Sequence, residues 1–285
     1  MSKTSLTRSH RFVPFGRPRP EGPERPVVAF ARDYADGTVI ACHRHDHAQL
    51  VYAARGLMRV EATVGTWIVP PQRAVWIPAG IVHGVTCVGI VAMRTVYVST
   101  GAAPWLSDTC QVMAVSPLLR ELVVAAMAVP RAYALDGPEA RLMAVLLDCL
   151  RAEPLRRLHL PMPRDRRLAV VTAGLVADPA DARSLEGWAR VAGASPRTLA
   201  RLFRSETGLS FRAWRQQFRL HEALARLTAG ESVTGVAFAV GYDSPSAFIA
   251  MFRRAMGVTP SRYFAATVSA RPAHHSDLPP SPAPV

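Results

Sequence analysis

The stretch Ser195-Pro-Arg-Thr-Leu-Ala-Arg-Leu-Phe-Arg-Ser-Glu-Thr-Gly-Leu-Ser210 returns 49 residues later as Ser244-Pro-Ser-Ala-Phe-Ile-Ala-Met-Phe-Arg-Arg-Ala-Met-Gly-Val-Thr259. Each copy opens with an N-cap serine and an N1 proline, repeats apolar residues at helical spacing (Leu199, Leu202, Phe203; Phe248, Met251, Phe252) and stops at Gly208 or Gly257. Each predicts a helix of about three turns. Upstream, Ser184-Leu-Glu-Gly-Trp-Ala-Arg-Val-Ala192 matches Ser232-Val-Thr-Gly-Val-Ala-Phe-Ala-Val240, and the turn that follows carries Gly193 or Gly241. A short helix, a tight glycine turn and a second helix with polar exposed positions make a helix-turn-helix unit, here present twice. Between the units, Phe211–Leu227 predicts one continuous helix from an N-cap at Ser210 to a stop at Gly230. At ~1.5 Å per residue that spacer is roughly 25 Å long. Two reading heads so spaced could enter major-groove segments roughly 34 Å apart on one face of a duplex.

Outward from the repeat, the chain changes texture. Its 285 residues suit two domains better than one. Residues 1–26 contain Pro14, Pro18, Pro20, Pro23 and Pro26, which remove backbone donors and fix φ, and so predict an irregular lead-in. From Val27, short β-rich runs follow, Gln49–Tyr52, Thr66–Val69, Ala74–Ile77 and Val91–Val98, set apart by Gly and Pro. Ser116-Pro117 predicts the start of a helix over Leu118–Met127, and a second, from Pro138 to Arg151, is apolar over most of its circumference. Leu142, Leu146 and Leu150 of that helix are expected to meet a second copy across a homodimer interface. The prolines of Glu153–Arg164 predict a linker, and the Pro- and Ser-rich residues after Ala270 a disordered tail. The expected fold class is therefore α+β in two domains. A sensor and dimerisation domain spans 27–153, a linker 154–164, an all-α domain with two helix-turn-helix units 165–268, and a tail 269–285.

Basic residues number 34 against 21 acidic, a net charge of +13 that favours a polyanionic partner. Lys3 is the only lysine, so the arginine excess equally fits a GC-rich coding bias. No apolar run approaches the roughly 18 residues a membrane-spanning helix needs, and no apolar segment follows Met1 as in a secretory leader, so the chain is expected in the cytoplasm. Cys42, Cys87, Cys110 and Cys149 form no Cys-x-x-Cys pair, which argues for reduced thiols. Phosphate loops, nucleophile elbows and paired carboxylates are absent from the sequence.

Ser184–Phe264 carries Ser-Pro-Arg-x-Leu-x-Arg-x-Phe-x-x-Glu-Thr-Gly208 and then Gly241-Tyr-x-Ser-x-Ser-x-Phe-x-x-x-Phe-Arg-Arg-x-x-Gly-Val-Thr-Pro-Ser-x-Tyr263. These motifs resemble the AraC/XylS family of bacterial transcription regulators. The resemblance implies a seven-helix domain whose two recognition helices enter adjacent major-groove segments of double-stranded promoter DNA, with RNA polymerase a further candidate partner. In the first recognition helix, Leu199, Leu202 and Phe203 take the inward face and leave Arg197, Arg201 and Arg204 outward. Arg197 and Arg201 lie four residues apart, so both can point into one groove, where the guanidinium fork matches O6 and N7 of guanine. In the second, the positions matching Arg197, Ala200 and Arg201 are the uncharged Ser246, Ile249 and Ala250, a departure from the polar or basic residues common in the family. Thymine-methyl contacts and shape readout remain to that head. Arg212, Arg215, Arg219, Arg253 and Arg254 are read as phosphate contacts.

In the N-terminal half, Gly37-Thr-Val-Ile-Ala-Cys-His43-Arg-His45-Asp-His47-Ala-Gln49, closing at Gly56, resembles the first cupin motif, with Gln49 where glutamate is usual. Pro78-Ala-Gly80-Ile-Val-His83 resembles the core of the second, although Gln72 and Cys87 stand where glycine and asparagine are expected. The resemblance implies a cupin-like β-barrel over about Val27–Ser99. Strand alternation puts 43, 45 and 47 on one face, so His43 and His45 can meet His83 from a facing strand. Three imidazoles with Gln49 suit zinc, iron, nickel or manganese, and a Cys87 thiolate would favour zinc or iron. The same histidines could instead serve an organic effector pocket, walled by Tyr52, Trp67 and Trp76, or be structural. His274-His275 is too isolated to make a site. The leading expectation is a DNA-binding transcriptional regulator that senses a small molecule or metal; the alternative is a metal-dependent cupin enzyme of dioxygenase or isomerase type with a DNA-binding tail.

Overall fold

In the computed structural model, residues 12–13, 25–62, 65–71, 73–150 and 158–269 are described. The expected tail, Gln72, His274 and His275, and most of the lead-in lie outside them. The strands are β1 (Phe12–Val13), β2 (Val27–Tyr34), β3 (Val39–His43), β4 (Ala48–Ala62), β5 (Gly65–Val69), β6 (Arg73–Ile77), β7 (His83–Val98), β8 (Gln111–Ala114) and β9 (His159–Leu160). β1 pairs in parallel with β3, so the lead-in is not irregular throughout. Phe12 and Val13 precede the first of its prolines and keep their backbone donors.

β4 and β7 run 15 and 16 residues and pair along most of their length. The sequence pattern predicted only the shorter runs Gln49–Tyr52 and Val91–Val98 within them, whereas both strands continue through a glycine, Gly56 in β4 and Gly89 in β7. Both glycines have positive φ, 75° and 70°, and the β4–β7 register shifts between Ala53 and Leu57. The glycines therefore bend the strands without ending them. Each long strand thereby serves two half-sheets: β3, β5 and β9 join one end, and β2, β6 and β8 the other. Inward residues of both halves, Val51, Ala53, Val75, Ile77, Val60, Trp67, Val85 and Met93, pack into one buried cluster. Among the described residues the pairing closes no hydrogen-bonded ring, so the expected barrel is two half-sheets facing each other across that core.

α1 (Pro117–Ala126) and α2 (Pro138–Cys149) cover the outer side of one half-sheet. Leu119, Val123, Met143, Leu146 and Leu150 bury against Leu50, Tyr52, Trp76, Val96 and Val98. Leu146 and Leu150 are thus core residues of one subunit and not the homodimer contact expected of them, because the outward face of the sheet also needs covering. The apolar residues left exposed on the two helices are Leu118, Val124 and Val145.

Residues 154–157 of the expected linker lie outside the described residues, but β9 extends the sheet beside β5, with Trp67 opposite His159. That part of the connection is docked, because both backbone edges gain hydrogen-bond partners. Seven helices follow: α3 (Arg166–Ala177), α4 (Leu185–Val191), α5 (Pro196–Thr207), α6 (Phe211–Thr228), α7 (Val233–Ala239), α8 (Pro245–Met256) and α9 (Pro260–Ser269). The side chains of Ser184, Ser195, Ser210, Ser232 and Ser244 accept the capping hydrogen bonds of α4 to α8, and Gly208 and Gly257 end α5 and α8 at φ 70° and 85°. Leu220, Leu224 and Leu227 of α6 belong to the same buried cluster as the inward sheet residues. Arg59 on β4 pairs with Glu222 at 2.7 Å, and the Tyr263 hydroxyl donates to the Pro71 carbonyl at 2.9 Å.

The bend at Gly56 can be tested against Gly37, which has a similar φ of 73° and open space around it. A Cβ at Gly56 would lie 2.5 Å from the Ile90 carbonyl oxygen and 2.8 Å from a Val91 methyl. Gly37→Ala should cost about 1–2 kcal/mol from backbone strain alone, and Gly56→Ala at least that plus about 1–3 kcal/mol of overpacking. Denaturant midpoints of the two variants check the difference.

Candidate functional site

α5 and α8 present different chemistries to solvent over their first two turns. In α5, Leu199, Leu202 and Phe203 are buried, while Arg197, Arg201 and Arg204 are exposed and line one shallow depression with Ser195, Thr198 and Ser205. Three guanidiniums on one helix face form a donor-rich surface of the kind that reads guanine edges and phosphates. In α8, Ser246 and Ala250 are exposed, and Ile249 is half-buried against the core, which leaves only part of its side chain for an outside contact. Arg253 and Arg254 are exposed at the end of the same helix.

Arg219, read from sequence as a phosphate contact, is committed inside the protein. Its Nε donates to the Pro179 carbonyl at 3.3 Å, Nη1 to Gly241 at 2.9 Å and Nη2 to Asp181 at 3.3 Å. A guanidinium whose three nitrogens already donate to carbonyls has little left for DNA. Arg215 is partly committed too: Nη1 donates to the Arg183 carbonyl at 2.9 Å and the group lies 4.9 Å from the Phe211 ring. Burial lowers the pKa of both. Arg212 remains exposed. The helical pattern gave no warning, because the carbonyls that hold these groups come from a loop some 35 positions earlier and from the second head's turn.

In the N-terminal domain, His43, His45 and His83 converge. One ring nitrogen of each lies within 4.8 Å of the others. His43 ends β3 and stands opposite His83 at the start of β7. His45 lies in the loop beyond β3, so loop geometry and not strand alternation brings it in. The Gly80 N–H donates to the His45 carbonyl at 2.8 Å, tying the turn of the second motif to the loop of the first. His47 is not in the cluster.

Two of the imidazoles are oriented by one local device. His43 Nδ1 donates to the Ala41 carbonyl at 2.7 Å and His83 Nδ1 to the Ile81 carbonyl at 2.9 Å, each two residues earlier. A carbonyl only accepts, so the proton sits on Nδ1 and the lone pair on Nε2. Burial pushes His45 and His83 down to about 4 and lowers His43, so all three are neutral at pH 7, the form that ligates.

Gln49 lies at the start of β4, opposite Tyr97. Its Nε2 donates to the Tyr97 hydroxyl at 3.4 Å, and the Tyr97 ring is 5.1 Å from that of His45. Sequence reasoning missed Tyr97, although it shares odd parity with His83 on β7. Burial pushes its phenol up to about 12, so it stays protonated. Gln49 is 6% exposed, and its Oε1 and the Nε2 of His83 are buried with no hydrogen-bond partner among the described residues. Buried polar atoms are normally satisfied, so both atoms have capacity for a further partner.

The other expected pocket residues are elsewhere. Tyr52 and Trp76 face outward from the sheet, under α1 and α2. Trp67 is in the inner core with its face covered by His159, ring centroids 4.6 Å apart. Cys87 stands four residues along β7 from His83, about 13 Å at the usual strand rise; it is buried, outside the histidine cluster, and its thiol is pushed up to about 12 by burial. It is a core side chain and not a soft ligand.

An AraC-like ligand binding domain matches residues 25–158, and a helix-turn-helix domain family matches residues 188–266. The HTH-type transcriptional regulator NimR of Escherichia coli (strain K12) is 36% identical over 230 residues, which cover 81% of this chain and 84% of that protein. The HTH-type transcriptional regulator RipA of Corynebacterium glutamicum is 38% identical over 115 residues, 40% of this chain and 35% of its own. A solved structure of the DNA-binding domain of the global transcriptional factor AdpA, in complex with a target DNA, aligns with 39% of this chain and 100% of its own at 35% identity and a TM-score of 0.35. With more than a third of residues shared over four fifths of both chains, the chain belongs to the AraC-type family of DNA-binding transcriptional regulators.

Proposed function

We propose that this regulator responds to a divalent metal held by His43, His45 and His83, with Gln49 beside them. The observation that carries this reading is the pair of Nδ1–carbonyl bonds, which fix the tautomer of two neutral imidazoles whose ring centroids lie 4.4 Å apart. Such backbone carbonyl partners commonly set the tautomer of metal-ligating histidines. The donor set fits zinc, iron, nickel or manganese, and it carries no charge of its own. Bound there, the ion would supply positive charge and a coordination position for a small-molecule effector. A role in binding and not turnover is favoured because the cluster holds histidines alone among the described residues and the relatives are regulators. Promoter DNA is the output partner, RNA polymerase a further one, and the cytoplasm the compartment where both are met. No helix among the described residues is long and apolar enough to cross a membrane.

On the DNA side, we infer that Arg197, Arg201 and Arg204 read bases in one groove, that Arg253 and Arg254 with part of Arg215 bind phosphate, and that Ser246, Ile249 and Ala250 discriminate weakly. Arg201→Ala should cost about 1–3 kcal/mol of preference for a guanine-containing segment, and Ala250→Ser far less. Footprinting both variants on a selected operator checks this, and equal losses would remove Arg201 as principal reader. For the metal, titration calorimetry with zinc, iron(II), nickel and manganese should find binding in the intact protein, none in His83→Ala, and tighter binding in Gln49→Glu, which adds a negative ligand. If no ion binds, an organic effector on the same residues is the surviving reading. A homodimer through the exposed Leu118, Val124 and Val145 should appear in light scattering at micromolar concentration, and Val145→Glu should shift it to monomer.

A further inference from the structure

The two heads are joined by more than α6. Arg219, midway along that helix, holds the carbonyls of Pro179 and Asp181 ahead of the first head and that of Gly241 in the turn of the second. The loop it grips is locked to the first head. Asp181 accepts from the Arg183 backbone N–H at 2.8 Å and from its Nε at 2.7 Å, and the Arg183 guanidinium lies 4.0 Å from the ring of Trp188, which is buried in α4. On the other side, Arg219 lies 5.8 Å from the ring of Tyr242, next to Gly241. A continuous chain of contacts thus runs from the second head's turn, through one guanidinium, to the scaffold helix of the first.

The equivalent glycines show that the contact belongs to one head only. Gly193 and Gly241 occupy the same place in the repeat and have positive φ, 62° and 77°. Around Gly193 a Cβ would meet nothing within 4 Å, whereas at Gly241 it would collide with the Arg219 guanidinium and lie 2.9 Å from the Ala180 Cα. The second turn is pressed against the loop and its arginine. A helix connecting two units sets their separation along its axis but leaves each free to pivot at its junction. A planar fork bonded to both units removes that freedom, and lysine, a point charge on a flexible stem, cannot replace it.

We propose that Arg219 is a positioning residue that sets the angle between the reading heads and thereby the spacing of the two DNA segments this regulator accepts. It rests on both heads reading DNA. The test is fluorescence anisotropy of the full chain on a selected operator, on versions with the two segments moved apart or together by one base pair, and on one with the second segment scrambled. The wild type should lose about ten-fold in affinity on either spacing change. Arg219→Gln should bind all three spacings within about three-fold of one another, while its affinity for the scrambled operator stays within about two-fold of wild type. Arg219→Lys should fall between. Gly241→Ala should also flatten the spacing preference, whereas Gly193→Ala, with like backbone strain and no collision, should keep it. Melting curves identify folded variants, and if Arg219→Gln does not fold, the two glycine variants decide. Retained spacing preference in folded Arg219→Gln, or equal flattening in the two glycine variants, overturns the proposal. A wild type indifferent to spacing overturns it together with the two-headed reading.

Discussion

β4 changes sheets partway along its length, and most of what the molecule does depends on how tightly it turns there. At Gly56 the strand passes so close to Ile90 and Val91 of β7 that no side chain fits. The bend sends Gln49 at one end of β4 toward the histidines and Arg59 at the other toward Glu222 of α6. Without it, a 15-residue strand would run straight out of one half-sheet, and the inward residues of the two halves could not share a core. The glycine serves the fold by its missing Cβ as much as by its positive φ, because the two strands bend at the same place and must nest.

That geometry also decides how the sensor and the DNA-binding helices are joined. The Arg59–Glu222 pair is short, but both side chains are partly exposed, and such pairs contribute on the order of 0–1 kcal/mol. Leu220, Leu224 and Leu227 are buried in a cluster that holds residues of the sheet and of α7 and α8 together, so part of the about 1.5–3 kcal/mol for each fully buried side chain stabilises the junction. The connector between the two reading heads is therefore also the helix that the sensor grips. A change in the pocket that alters the pitch of β4 or β7 meets α6 directly, with no need for a long relay.

The parts legible in the sequence were those written in local chemistry. N-cap serines, N1 prolines and left-handed glycines act within a few residues, so the helices of the repeat could be read position by position. The histidines were legible because a turn motif places them. What escaped depends on contacts distant in sequence. Arg219 looks like any outward arginine on a basic helix until the carbonyls of residues 179, 181 and 241 are brought to it. The full lengths of β4 and β7 escaped because the predicted runs were set apart by glycines, and a glycine that bends a strand looks like one that ends it until the partner strand is known. Tyr52 and Trp76 were misplaced for a different reason: the parity of β4 and β6 already set them on the face opposite Gln49 and Ile77, and aromatic character outweighed it. The same parity placed Tyr97 with the site.

The asymmetry between the heads follows from the same division. The first has guanidiniums on its exposed face and an unencumbered turn, so its selectivity can come from direct contacts with base edges. The second offers a serine, an alanine and a half-buried isoleucine, and its turn is pressed against the rest of the domain. Its guanidiniums, Arg253 and Arg254, sit only in the last turn of its helix, so moving freely over the groove would gain such a head few contacts with base edges. Held at a fixed angle, as proposed for Arg219, it would act as a gauge: DNA whose groove arrives in the right place would be accepted with little regard to its bases, and DNA that must bend or twist to reach it would incur a deformation energy that depends on sequence. Discrimination in the second segment would then come from the rigidity of the protein, through residues that do not touch DNA.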